Sequence, residues 1–175
     1  MARSRYIAFV SLLSAFSGVL QAIFAPITFT IIRVPFVHDL LVFFPLILSV
    51  WLTRRFGGAT GVGVISALVV LFLKPNTFLV FGFMLSSFIF DLLMFLIKHK
   101  ITFRIRNILI VSLSTILSAY IAGFVIGLIV MGGTVEWALS VWAPLHAAGG
   151  AISLILSYPI LAALERTGVR KNNEF

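Results

Sequence analysis

Apolar residues along this chain come in six long runs, at about 6–25, 37–52, 59–73, 77–97, 108–131 and 137–164. Short polar or basic segments separate them. Each run is long enough to read as a helix crossing a bilayer, at about 20 residues per span. The second and third are short and imply little tilt or snorkelling flanks. Lys74-Pro75-Asn76 divides the third run from the fourth, because proline disfavours helix at the residue before it and lacks a donor. The first run lies behind Arg3 and Arg5 like a secretory signal, but no small-x-small site closes it, so a retained helix is expected. The pattern predicts an all-α polytopic membrane protein, a compact six-helix bundle forming one integral domain over 1–175.

Charge sorts these helices. Six spans put both termini on one side, which collects Arg3, Arg5, Arg54, Arg55, Lys98, Lys100, Arg104, Arg106, Arg166, Arg170 and Lys171. Only Arg33 and Lys74 fall on the other side. Such asymmetry places the termini in the cytoplasm. Composition agrees: 61% of residues are hydrophobic, 10% are charged and the mean hydropathy is +1.19. A soluble globule of 175 residues cannot hide that much apolar surface. The net charge of +8 sits in clusters between spans, so nucleic acid is not the expected partner. The lipid bilayer is. There are no cysteines, which removes disulfides, thiolate zinc sites and cysteine nucleophiles.

Ionisable groups at membrane depth are costly and become functional candidates. The outer half gathers Gln21, Arg33, His38, Asp39, Asn76, Trp142 and His146, together with Lys74, Glu136 and Trp137. Donors, acceptors and aromatic faces in one region suit a pocket for a small polar or heterocyclic solute. His146 lies nine residues past Trp137, about 13 Å inward. Trp142 and His146 are four apart and share a helix face. The segment from Pro26 to Phe36 is expected to form a lid loop carrying Arg33. His38 and Asp39 also suit an N-terminal cap of the second helix, and Trp137 an interfacial belt. Asp91 approaches the cytoplasmic end, where an ion pair with Arg54, Arg55 or Lys98 is expected. His38, Asp39 and His146 suit a divalent ion by type but lack metal-site spacing, so no metal or other cofactor is expected. No GxSxG, paired carboxylates or GxxxxGK[ST] occur, so the chain is read as non-enzymatic.

Small residues recur four apart in the first helix, at Ser11/Ala15 and Ser14/Gly18/Ala22. Such ladders allow close helix approach, within the bundle or against a second membrane subunit. Others cluster in the fifth run and at Ala147-Ala-Gly-Gly-Ala in the sixth. Pro45, Pro144 and Pro159 inside apolar runs each free a carbonyl one turn earlier.

Four features resemble the substrate-binding S component of energy-coupling factor (ECF) transporters. They are the opening Arg5-Tyr-Ile-Ala-Phe-Val-Ser-Leu-Leu-Ser-Ala-Phe, the outer segment after it, Pro45-Leu-Ile-Leu-Ser-Val-Trp-Leu-Thr-Arg-Arg-Phe-Gly-Gly-Ala-Thr-Gly-Val-Gly, and Ala147-Ala-Gly-Gly-Ala closing at Leu164-Glu-Arg-Thr-Gly. The likeness spans nearly the whole chain. It implies a cell-membrane protein that captures a vitamin or related micronutrient from outside, with a transmembrane T subunit and two cytoplasmic ATPases as partners. It implies docking through helix one. The family's AxxxA is not reproduced, since Leu12 follows Ala8, and the matching pairs are Ser11/Ala15 and Ser14/Gly18. A self-sufficient secondary transporter or channel, with Asp91 and His146 as relays, is the alternative.

Overall fold

The computed structural model describes residues 3–168, so Arg170 and Lys171 lie outside the described residues. Six helices follow one another: α1 (Arg3–Ile32), α2 (Phe36–Thr53), α3 (Gly58–Leu73), α4 (Val80–Ile97), α5 (Ile105–Val130) and α6 (Val135–Arg166). No strand occurs among the described residues. All but α3 are long and apolar enough to cross a membrane. At 16 residues α3 spans about 24 Å, so it reaches most of the hydrocarbon only with its flanks. Large apolar side chains cover the exterior, among them Leu12, Phe72, Ile105, Leu113, Ile129 and Ile155. Water would not tolerate a coat of that extent, whereas lipid tails solvate it. The chain is a multi-pass membrane protein.

Polar residues turn inward instead. Ser14, Ser17, Gln21, Asp39, Asp91, Thr115, Ser118 and His146 are all buried. α2 is the innermost helix, packed against α1, α3 and α6, while α1 also packs on α3, α4 on α3 and α5, and α5 on α6. Its centre is apolar, with Phe43, Leu46, Ile47 and Val50 inaccessible. Glycine permits two close approaches: a Cβ on Gly18 would stand 2.7 Å from the Cβ of Val69, and one on Gly63 would overlap Ser87.

The expected lid loop is a helix. α1 continues through Pro26 to Ile32, which leaves only residues 33–35 to reach α2. Proline costs one hydrogen bond there, while unravelling the following turn would strip several backbone groups of partners. The hydroxyls of Thr28 and Thr30 donate to the carbonyls of Phe24, Ala25 and Pro26 and hold the extension in place. Arg33 ends α1 in a left-handed conformation (φ 58°), its N–H donating to Phe29 O at 2.9 Å.

Pro45 of α2 and Pro144 of α6 are compensated from neighbouring helices. Pro45 cannot donate to Leu41 O, and Ser17 Oγ of α1 supplies that carbonyl's hydrogen bond at 2.8 Å. Near the start of α6 the turn widens over Ala138–Trp142, with Ala143 N–H donating to Ala138 O, five residues back. The next bond in that register would run from Pro144 to Leu139 O. Pro144 has no N–H, and Tyr120 OH of α5 donates to Leu139 O at 3.0 Å.

Candidate functional site

Three short connections, 33–35, 74–79 and 131–134, bring six helix ends together: the C-termini of α1, α3 and α5 and the N-termini of α2, α4 and α6. Between them lies a cavity of about 650 Å³. That is within the range of small-molecule sites. α5 and α6 both widen to a π-helical turn here, over Ile126–Val130 and Ala138–Trp142, and Ile126, Val130 and Trp142 from those turns line the cavity. Such bulges occur often at functional sites because they shift side chains out of helical register.

Of the residues singled out from sequence, Gln21, His38, Asn76, Trp142 and His146 line the cavity. Asp39 lies one layer behind, fully buried, and accepts a hydrogen bond from His146 Nδ1–H at 2.7 Å. Asp39 makes no capping bond for α2, so its partner is a helix 107 residues away rather than its own first turn. Arg33 departs from expectation. It is exposed and lies outside the cavity lining, because α1's extension carries it past the mouth and its backbone serves as the helix stop. Phe29, from the same extension, faces the cavity and meets Trp142 edge-on with ring centroids 6.2 Å apart. Sequence reasoning missed Phe29 because it treated that stretch as loop.

Two polar relays set the orientation of the histidines. His38 Nε2–H donates to Gln21 Oε1 at 3.2 Å, Gln21 Nε2 donates to Ser17 Oγ at 2.8 Å, and Ser17 passes on to Leu41 O. His38 and Asp39, adjacent on α2, therefore belong to different relays, one through α1 and one through α6. His146 is held by Asp39 on one nitrogen, and its other nitrogen, Nε2, is buried with no partner among the described residues. Trp142 Nε1 and Asp39 Oδ2 share that condition. Glycines make the room: a Cβ on Gly149 would overlap the Asp39 carboxylate, and one on Gly123 would stand 2.8 Å from the His146 ring. Phe83 lies between the histidines, 4.6 Å from His38 and 5.6 Å from His146 by ring centroids. Trp142 stacks on Trp137 at 5.7 Å and meets His146 at 5.6 Å and 71°. The result is an aromatic-walled chamber with a few fixed polar atoms at its base.

A second buried polar cluster lies at the opposite end. Asp91 Oδ2 accepts from Gly57 N–H, Thr60 N–H and Thr60 Oγ1 at 2.8, 3.0 and 2.9 Å, which anchors the N-terminus of α3. His99 Nε2–H is shared between Asp91 Oδ1 and its carbonyl, at 3.1 and 3.0 Å. His99 is buried. No group of three or more metal-ligating side chains occurs among the described residues. The helix-one ladder divides: Ser14 and Gly18 are buried inside the bundle, Gly18 against α3, while Ser11 and Ala15 stay exposed. Comparison with protein-family models, with curated proteins and with solved structures finds no match to this chain.

Proposed function

We propose that this chain is the solute-capturing subunit of an ECF-type importer in the cell membrane. It binds a vitamin-like small molecule from outside and depends on a transmembrane T subunit and two cytoplasmic ATPases for transport. The observation that carries the reading is the cavity of about 650 Å³ at the end with few basic residues, walled by aromatic rings and ending on unpartnered polar atoms. Charge assigns that end to the outside. No catalytic step is proposed. Solute enters between the helix ends, meets Trp142 and His146 at the base, and is held while partner subunits reorient the module. Ser11 and Ala15 remain available for partner docking, whereas Ser14 is buried within the bundle and Gly18 packs against α3.

The test is purification in mild detergent followed by mass spectrometry of small molecules released on denaturation. A solute present near one equivalent, retained less by Trp142→Ala and His146→Ala variants that still fold, supports the reading. Absence of any solute, with ion currents from the protein alone, overturns it.

One observation favours a second reading. The Asp39–His146 pair holds two ionisable side chains in contact at membrane depth, an arrangement that a self-sufficient secondary transporter would use. Proteoliposomes containing this chain alone separate the two: solute accumulation driven by a pH gradient, without ATPases, belongs only to the second.

A further inference from the structure

We infer that the cavity selects a planar organic anion, an aromatic or heteroaromatic ring bearing a carboxylate or an equally charged acceptor group. This rests on the solute-binding reading and adds the charge and shape of the solute.

Charge comes first. Among the described residues Lys74 is the one lining residue with a permanent charge, and no Asp or Glu contributes to the lining. Asp39 is fully buried behind His146, with Oδ1 on that ring's Nδ1 and Oδ2 without a hydrogen-bond partner among the described residues. A cation entering the chamber would therefore meet a lysine and no carboxylate among the described lining residues. Aromatic cages do hold cations through their ring faces. Here Lys74 opposes that use, because like charges in a partly dehydrated site repel strongly.

The fixed polar atoms agree. Trp142 Nε1–H can only donate, and it lies buried without a partner. It needs an acceptor to offset the cost of its burial. His146 Nε2 lies unpartnered on a neighbouring ring; with Nδ1–H given to Asp39 it is the acceptor of a neutral imidazole, so it suits an N–H or hydroxyl on the solute's ring rather than its anionic group. Asn76 and Lys74 add donors nearer the mouth. Shape follows from Phe29, Phe83, Trp142 and His146. Their rings, in edge-on or tilted contact with one another, give the chamber an aromatic wall, and aromatic walls suit a flat aromatic solute.

The experiment uses full-length protein in nanodiscs and two matched probe sets: nicotinate, nicotinamide and 3-picolylamine, and 2-naphthoate, 2-naphthamide and 2-naphthylmethylamine. Binding is read by calorimetry. In at least one set the carboxylate binds at least tenfold tighter than its amide, and the amine binds weakest. Lys74→Gln reduces the acid–amide difference to under threefold, and Lys74→Arg restores it. Lys74 is exposed, so unfolding midpoints should match across these variants. Equal affinities for acid and amide, tighter binding of an amine, an unaltered preference in Lys74→Gln, or no binding by any probe overturns the inference. A co-purifying solute that is neutral or cationic overturns it too, while leaving solute capture intact. No probe binding and no co-purifying solute together overturn both.

Discussion

Asp39 illustrates how one buried carboxylate organises its surroundings. Its side chain is inaccessible, it is bound at 2.7 Å to His146, and it fits only because Gly149 has no side chain. Removing it leaves His146 buried without its partner, and breaking such pairs is strongly destabilising. Asp39→Ala is expected to lower unfolding stability in detergent by about 3 kcal/mol. In a double-mutant cycle with His146→Ala, the combined loss should fall well short of the sum. Additive losses would show that the two residues act separately. Gly149→Ala should cost about 1–3 kcal/mol by forcing Asp39 aside. Gly61→Ala, which meets only the Val10 γ-methyl at 3.1 Å, should be close to neutral by the same unfolding measurement. The residue types at these positions were legible in the sequence, but the Asp39–His146 contact was not. The adjacency of His38 and Asp39 on one helix says nothing about which neighbouring helix each will meet.

Individual helices tolerate their defects because neighbours complete them. Pro45 orphans Leu41 O and Ser17 of α1 repairs it, while Tyr120 of α5 repairs the wide turn before Pro144. Ser17→Ala is expected to cost about 1–3 kcal/mol, since it leaves a buried carbonyl unpaired and removes the acceptor of Gln21. In a Pro45→Ala background the restored N–H can serve Leu41 O, so the same substitution should cost measurably less in thermal unfolding. Equal costs in both backgrounds would refute the repair. Asp91 works similarly for α3, accepting three hydrogen bonds at its first turn. Asp91→Ala should destabilise the fold yet leave solute affinity of the surviving folded protein unchanged, as measured by calorimetry. A selective loss of affinity would instead make Asp91 part of the transport route. The helices themselves follow from runs of apolar residues, since lipid forces backbone pairing within each span. The course of α1 beyond Pro26 does not follow so simply. Proline's local penalty is offset by the threonine back-bonds and by packing around the cavity, and neither is visible as a periodic pattern.

For the whole molecule, the bilayer reads composition and charge directly. Apolar side chains face outward, polar ones inward, and the basic residues at the described helix ends, Arg33 and Lys74 excepted, gather away from the cavity. The chain has no cysteine, so single introduced thiols report topology cleanly. A membrane-impermeant maleimide added outside intact cells should label Glu136→Cys and leave Phe103→Cys unmodified until the cells are opened. The reverse pattern would invert the molecule and turn the cavity toward the cytoplasm.

Helix number and class came from sequence alone, because each depends on the transfer of individual side chains into lipid. These are local sums along the chain. The cavity is a property of six helix ends meeting at once. Only the tertiary structure decided that Arg33 would cap a helix outside it, that Phe29 would enter its wall, and that His146 would be held by a carboxylate 107 residues away. Those outcomes depend on helix rotation and close approach at glycines, which no single segment specifies.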